Sequence, residues 1–246
     1  MLNTQPIEKR FGKDPINNSL LDIKEIFETI QGEGPFCGVP CVFIRLAGCN
    51  LQCPGCDTDY TTDRQFLSLG NIMARVRQFR KDGLVVITGG EPYRQPIGRL
   101  LCELTDSGYY VQIETNGTLP PDRSVQYSLT PHKKRGVYIV CSPKTGQVHA
   151  DYMGAAVAFK YVITADSVRV EDGLPLRALG HTAHPYVARP PTHRINHAHT
   201  PVQVFVQPMD SQDRKINKAK LEAAKKSCLQ FGYTLQLQIH KIIGVA

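Results

Sequence analysis

Cys49, Cys53 and Cys56 place three thiols in one short loop, Ala47-Gly-Cys-Asn-Leu-Gln-Cys-Pro-Gly-Cys-Asp-Thr58, directly after the apolar run 41–46. The spacing C-x3-C-x2-C draws three soft ligands from a single stretch of chain. A [4Fe-4S] cluster held by only three thiolates keeps one iron free for a further ligand, and chemistry can begin at that iron. A structural zinc site calls for a fourth Cys or His to close its tetrahedron, and none lies close by in the sequence. Three cysteines packed into a core, or joined in disulfides, are the bland alternative, because buried cysteine is common.

Downstream, Leu84-Val-Val-Ile-Thr88 reads as a buried strand that runs into Gly89-Gly90-Glu91-Pro92. Two glycines let backbone approach a ligand closely, and the Glu91 carboxylate can pair with the ammonium of an amino-acid-like cofactor. On its own such a turn is an ordinary strand ending. Paired with the cysteine loop, each following a strand, it resembles the second signature of the radical S-adenosylmethionine (SAM) superfamily, whose cysteine motif the spacing also matches.

The elements that must position these loops can be read from patterning. Apolar, β-branched runs alternate with helix-like stretches, which predicts βαβ units and a mostly parallel sheet. Strands are expected at 41–46, 84–88, 109–114, 137–142, 159–163 and 202–207. Helices are expected from Ser68 as N-cap to about Lys81, over 96–106, and from Ser211 as N-cap to Gly232 as stop, with Leu221, Ala224 and Cys228 on one face. Right-handed crossovers would curl the sheet into a full or partial barrel, with chemistry at the carboxyl ends of its strands. The residues after the strands are AGC, TGGEP, ETNG, CSPK and QPMD, all polar or glycine-rich.

Composition bounds the rest. A chain of 246 residues with 41% hydrophobic content can bury one full core. No apolar run approaches the ~18 residues of a membrane span, and residues 1–20 have no secretory apolar stretch and read as a mobile extension. Eight cysteines in a core-rich chain, three of them poised for iron, point to the reducing cytoplasm rather than to a secreted disulfide framework. Cys37, Cys41, Cys102, Cys141 and Cys228 are expected to be core packing. The net charge of +7 is scattered, with groups at Lys133-Lys134-Arg135 and along 215–226, and no aromatic interleaving suggests a nucleic-acid platform. Between Thr164 and Pro201 periodicity is lost and five of the eight histidines gather, His181, His184, His193, His197 and His199. Their spacing is irregular, so a surface excursion over 164–201 is expected ahead of a metal site.

Among radical SAM enzymes the resemblance narrows. Glu25-Ile-Phe-Glu-Thr-Ile-Gln-Gly-Glu-Gly34, Phe43-Ile-Arg-Leu-Ala-Gly-Cys49, Cys56-Asp-Thr58, Thr88-Gly-Gly-Glu-Pro92, Glu114-Thr-Asn-Gly117, Ser142-Pro-Lys144, Gln207-Pro-Met-Asp210 and Gln238-Ile-His-Lys241 resemble, in order, the 7-carboxy-7-deazaguanine synthases. Ile239 departs from the family, which often has threonine there. The resemblance implies an α/β fold, a partial (β/α) barrel of the radical SAM type over a catalytic domain at 21–246. It also implies a carbon–nitrogen lyase that turns 6-carboxy-5,6,7,8-tetrahydropterin into 7-carboxy-7-deazaguanine and ammonia, for queuosine or modified DNA. Cys49, Cys53 and Cys56 would bind a [4Fe-4S] cluster and Thr58 would sit on Mg2+. Gly55, Cys56, Asp57, Gly90, Ser142, Pro143, Lys144, Gln207, Pro208, Met209 and Asp210 would contact SAM. Ile30, Gln31, Gly32, Arg45 and Thr88, with the α-carboxylate of Ala246, would hold the pterin, and Glu33 and His240 would be pterin contacts or proton carriers. A planar guanidinium such as Arg45 suits a carboxylate, because it forks onto both oxygens. A reducing electron donor such as flavodoxin and a homodimer are implied as partners, with no direct nucleic acid and no membrane.

Two other readings share some of these features. A glycyl-radical activase would carry the cysteine loop but act on a protein, and the Gln-Gly-Glu-Gly block and the closing His-Lys speak against it. An iron-sulfur electron-transfer module would have no use for Gly-Gly-Glu-Pro.

Overall fold

A computed structural model describes residues 3–11, 20–127, 136–177, 187–191 and 202–245. The strands are β1 (Leu20–Ile30), β2 (Pro40–Leu46), β3 (Gln65–Ser68), β4 (Gly83–Gly89), β5 (Tyr109–Thr115), β6 (Val137–Cys141), β7 (Ala156–Ile163), β8 (Gln203–Pro208) and β9 (Thr234–Leu235). They form one open sheet in the order β3-β1-β2-β4-β5-β6-β7-β8-β9. From β2 to β9 every neighbour is parallel, whereas β1 runs antiparallel to both β2 and β3. The fold is the α/β partial barrel expected, and all six expected strands are present.

Strand β1 is absent from those expectations. Its alternation is interrupted by Lys24 and Glu25, where a bulge shifts the register against β2, so the period-two signal is broken in the middle. Strands β4 and β7 show why the parallel reading succeeds: Leu84 to Ile87 and all of Ala156–Ile163 are buried, as continuous runs covered on both faces must be. Successive side chains serve opposite faces. Val85 and Ile87 pack outward with Ile72, Met73 and Val76 of α1 (Leu69–Phe79) and Leu100, Leu101 and Leu104 of α2 (Gly98–Asp106), while Leu84 and Val86 pack inward with Tyr138, Val140 and Phe205. Full burial of each such side chain contributes about 1.5 to 3 kcal/mol.

Ser68 caps α1 as expected, accepting the Asn71 N–H at 3.3 Å. A four-residue α3 (Tyr152–Ala155) leads into β7. Helix α4 (Arg214–Phe231) is capped by Asp213, not Ser211. The Asp213 carboxylate takes the N–H groups of Lys215 and Ile216, while the Ser211 N–H is held upstream by Asn217 at 2.8 Å. Gly232 ends α4 in the left-handed region, at φ 74°. Of the remaining cysteines, Cys41 and Cys141 are core and Cys228 is half-buried, but Cys37 and Cys102 are exposed, because each lies in a turn or on an outer helix face.

Residues 3–11 lie along the cysteine loop instead of forming part of a loose extension: Ile7 pairs with Cys49 and Phe11 N–H donates to Arg94 at 2.8 Å. The described parts of 164–201 are irregular yet anchored, with Leu174 and Val187 buried in the outer core. The five clustered histidines and Lys133-Lys134-Arg135 lie outside the described residues. Among the described residues no helix is long and apolar enough to cross a membrane.

Candidate active site

The carboxyl ends of the parallel strands open into a cavity of about 390 Å³. One wall is the cysteine loop. Gly48, at φ 74°, turns the chain out of β2, and the position tolerates no side chain because a Cβ there would meet the Arg94 guanidinium at 2.3 Å. Arg94, 2% exposed, donates to Ala47 O at 2.9 Å and pairs with Glu8 at 3.1 Å, bracing the loop from beneath. Gly89 and Gly90 are close-approach glycines, but what they approach is protein. A Cβ on Gly90 would lie 1.9 Å from Gly48 O, and Glu91 N–H donates to that same oxygen at 3.1 Å.

Glu91 does not reach into the cavity as a partner for a ligand ammonium. It is fully buried and accepts from Tyr93 N–H at 3.0 Å, Thr115 Oγ1 at 2.7 Å and Asn116 N–H at 2.8 Å. Burial pushes its carboxyl up to about 7 against the pull of those three donors. Its work is to tie the end of β4 to the end of β5.

The three thiols of the loop line the cavity together. Burial pushes Cys49 up to about 12 and Cys53 up to about 11, with the nearby Lys144 ammonium opposing the shift at Cys53. Such thiols ionise when a metal takes the charge. Among the described residues no three His, Cys, Asp or Glu side chains converge on a point where one ion would sit. Three thiols without a fourth donor suit a cluster, whose irons are ligated one by one.

The floor is a buried polar network. Lys160, from the middle of β7, donates to Glu33 and lies 3.5 Å from Glu114 at the end of β5. Glu114 also accepts Gln31 Nε2 and Gln112 Nε2, each at 3.0 Å, and Glu33 accepts Gln207 Nε2 at 3.3 Å and Gln238 Nε2 at 2.8 Å. Burial alone would raise Glu33, but the Lys160 ammonium holds its carboxyl below the usual range. Over this floor hangs α5 (Ile239–Ile243), which brings His240 against Gly32, where a Cβ would meet Nδ1 at 1.9 Å. Lys241 spans Asp57 at 3.5 Å and Asp210 at 3.2 Å, joining the cysteine loop to the end of β8. On the remaining side Arg45 pairs with Glu25 at 2.7 Å, lies over the Phe27 ring at 5.6 Å and places Nη1 3.5 Å from Thr58 Oγ1.

The Radical SAM superfamily profile matches residues 43–127. The chain is also 42% identical over 242 residues to the 7-carboxy-7-deazaguanine synthase of Rhodospirillum rubrum, covering 96% of this chain and 97% of that one. The chain belongs to the 7-carboxy-7-deazaguanine synthase family. A relative of the same name from Rickettsia prowazekii is 37% identical, with 96% of each chain covered. The crystal structure of QueE from Escherichia coli superposes with a TM-score of 0.63 at 25% identity, covering 89% of this chain and 93% of that one.

Of the positions that the family resemblance singles out, Ile30, Gln31, Gly32, Glu33, Arg45, Cys49, Cys53, Gly55, Cys56, Asp57, Thr58, Thr88, Gly90, Ser142, Lys144, Gln207, Met209, Asp210 and His240 line this one cavity. Pro143 and Pro208 do not line it, and Ala246 lies outside the described residues. The cavity adds Lys160, Glu114, Asn116, Gln238 and Lys241. Lys160 had a legible signal: a lone lysine in the apolar run Ala-Val-Ala-Phe-Lys-Tyr-Val-Ile, a charge that burial forbids without a partner.

Proposed function

We propose that this member of the family converts 6-carboxy-5,6,7,8-tetrahydropterin to 7-carboxy-7-deazaguanine and ammonia by radical ring contraction, within deazaguanine biosynthesis. The reading rests on one observation: the three-thiol loop and the Arg45, Glu33 and Lys160 group face each other across a single cavity. A [4Fe-4S] cluster and SAM held here would supply radical hydrogen-atom abstraction at carbon 6 of the pterin, and the hydrogen would return at the end, because the pterin has the same overall composition as 7-carboxy-7-deazaguanine plus ammonia.

Cys49, Cys53 and Cys56 would hold the cluster. Gly55, Asp57, Gly90, Ser142, Lys144 and the Gln207 to Asp210 turn would surround SAM, with Lys144 as a cation beside Ser142 Oγ at 2.6 Å. Arg45, oriented by Glu25 and stacked on Phe27, presents its fork to the pterin carboxylate. Glu33, kept ionised by Lys160, is a fixed acceptor for the N–H edge of the pterin instead of a proton carrier; His240 beside Gly32 closes that edge. Thr58 would offer its hydroxyl to Mg2+, a hard cation that takes oxygen ligands. With substrate bound, the cysteine loop on one side and the buried floor on the other would limit access of water and stray hydrogen donors. The resemblance adds a reductant such as flavodoxin, a homodimer, and the cytoplasm, where thiols stay free for iron.

The test is anaerobic incubation of reconstituted protein with SAM, a reductant and the pterin, followed by mass spectrometry. 7-Carboxy-7-deazaguanine and ammonia are expected in excess over any methionine and 5′-deoxyadenosine, since the net conversion is redox neutral, and product is lost when the three cysteines become Ala. Stoichiometric zinc without iron after reconstitution, or SAM cleavage with the pterin unconsumed, overturns the reading.

A further inference from the structure

The cysteine loop, from Cys49 to Arg64, contains no helix or strand of its own; Cys56 N–H, Thr61 N–H and Thr62 N–H find acceptors within it, and several of its other backbone groups are satisfied from outside it. Residues 3–11 do this. Glu8 N–H donates to Cys49 O at 2.7 Å, where Ile7 pairs with Cys49 in a single parallel bridge. Asn3 Nδ2 donates to Cys53 O at 3.1 Å. Gln5 closes a two-point clamp: its Nε2 donates to Thr58 O at 2.9 Å and its Oε1 accepts Tyr60 N–H at 2.7 Å, while Gln52 Nε2 returns a bond to Gln5 O at 2.7 Å. At the far end the Glu8 carboxylate pairs with Arg64 at 2.7 Å and with Arg94 at 3.1 Å.

We propose that residues 3–11 are a brace that fixes the shape in which the loop presents its thiolates, with Gln5 as its principal positioning residue, and that the brace slows loss of the cluster. This rests on the reading that the loop holds a [4Fe-4S] cluster. The physical reason is that three thiolates on a loop without regular structure can drift apart whenever one Fe–S bond opens. Fastening the carbonyls of Cys49, Cys53 and Thr58 from a second segment keeps each sulfur within reach of its iron, so the bond re-forms before the metal departs. Only a carboxamide serves at Gln5, because the site demands a donor toward Thr58 O and an acceptor toward Tyr60 N–H from one planar group. A carboxylate keeps the size and the acceptor but loses the donor and sets a charge against a carbonyl.

The experiment measures release of iron from anaerobically loaded, full-length protein to a chelator, followed by absorbance, for the wild type, Gln5→Glu, Asn3→Ala and Lys9→Ala. Loss of one hydrogen bond with an orphaned partner predicts release about tenfold faster for Gln5→Glu. A smaller acceleration is expected for Asn3→Ala and none for Lys9→Ala, whose side chain lies on the exposed side of the segment. The thermal midpoint of Gln5→Glu should fall by only the few degrees that one hydrogen bond is worth in a chain of this size, which separates bracing from general unfolding. A folded Gln5→Glu protein that releases iron at the wild-type rate overturns the proposal; should that variant fail to fold, an unchanged rate for Asn3→Ala does the same. A wild-type protein that never loads iron overturns the reading itself, and the brace with it.

Discussion

Lys160 donates to Glu33 at the floor of the cavity, and the same ammonium lies 3.5 Å from Glu114. Burial lowers the Lys160 ammonium, but the two carboxylates more than offset that and raise it, while Lys160 in turn holds Glu33 down. Lys144, Asp57 and His240 also face the group. The pair is therefore ionised together, and breaking it leaves a buried charge alone.

Lys160→Met should cost about 3 to 5 kcal/mol of unfolding free energy, and adding Glu33→Gln should recover part of it. The sign of the pH dependence follows. In the wild type the depressed Glu33 carboxyl contributes stability that is present above its ordinary 4.5 and lost as pH falls through its lower folded value. In Lys160→Met alone burial is opposed only by the Gln238 and Gln207 donors and by His240, so the stability that the depressed Glu33 carboxyl contributes above 4.5 should shrink. Denaturant titrations at several pH values check this. A cost under about 1 kcal/mol would mean the pair is solvated.

Glu91 gives the opposite case. Its folded value of about 7 lies above the ordinary 4.5, so folding takes up a proton between those limits and stability declines as pH rises through them. Glu91→Gln has no such proton. Its fixed cost comes from a side-chain N–H₂ meeting backbone donors, about 1 to 3 kcal/mol. The wild type's advantage over Glu91→Gln should thus shrink by about 1 to 3 kcal/mol between pH 5.5 and 8. An advantage that grows over that range would show that the three donors outweigh burial.

How much of this was legible depends on whether a signal is local. The cysteine spacing, the apolar runs of β4 to β8 and the glycine ending α4 are written in adjacent residues, and the fold and most of the cavity follow from them. The antiparallel β1 was hidden because Lys24 and Glu25 interrupt its alternation at a bulge. Glu91 misled because a carboxylate after two glycines looks like a ligand group. Only the positions of Thr115 and Asn116, at the end of another strand, show that it binds protein. The docking of residues 3–11 is likewise invisible in a polar segment, since Gln5 and Asn3 act through partners about fifty residues away.

Arg45 and Thr58 meet at one edge of the cavity, Nη1 to Oγ1 at 3.5 Å, so the positions proposed for the substrate carboxylate and for Mg2+ adjoin. Arg45→Ala should raise the apparent KM for the pterin roughly ten- to a hundredfold, the loss of one charge-assisted fork of about 1.5 to 3 kcal/mol. Thr58→Ala should weaken the dependence of turnover on Mg2+ while the cluster absorbance is retained. Steady-state kinetics across Mg2+ concentrations decide it, and unchanged values in both variants would remove these residues from the substrate edge.

Gly90 is where the two motifs touch. A methyl there would sit 1.9 Å from Gly48 O and 2.9 Å from Cys49 N, and both obstacles are backbone, so no rotamer change relieves the clash. Gly90→Ala must push the end of β4 away from the cysteine loop, stretching the bonds from Gly90 N–H to Leu46 O at 3.2 Å and from Glu91 N–H to Gly48 O at 3.1 Å. Overpacking of this kind costs about 1 to 3 kcal/mol, and the displaced loop should also bind less iron on reconstitution. Gly154→Ala is the control: in α3 an added Cβ meets nothing within 4 Å, and alanine there should stabilise by about 0.4 to 1 kcal/mol. Thermal melts and iron counts on both variants separate the cases. If Gly90→Ala melts with the wild type and loads the same iron, the contact between the glycine turn and the cysteine loop is not what sets the loop's position.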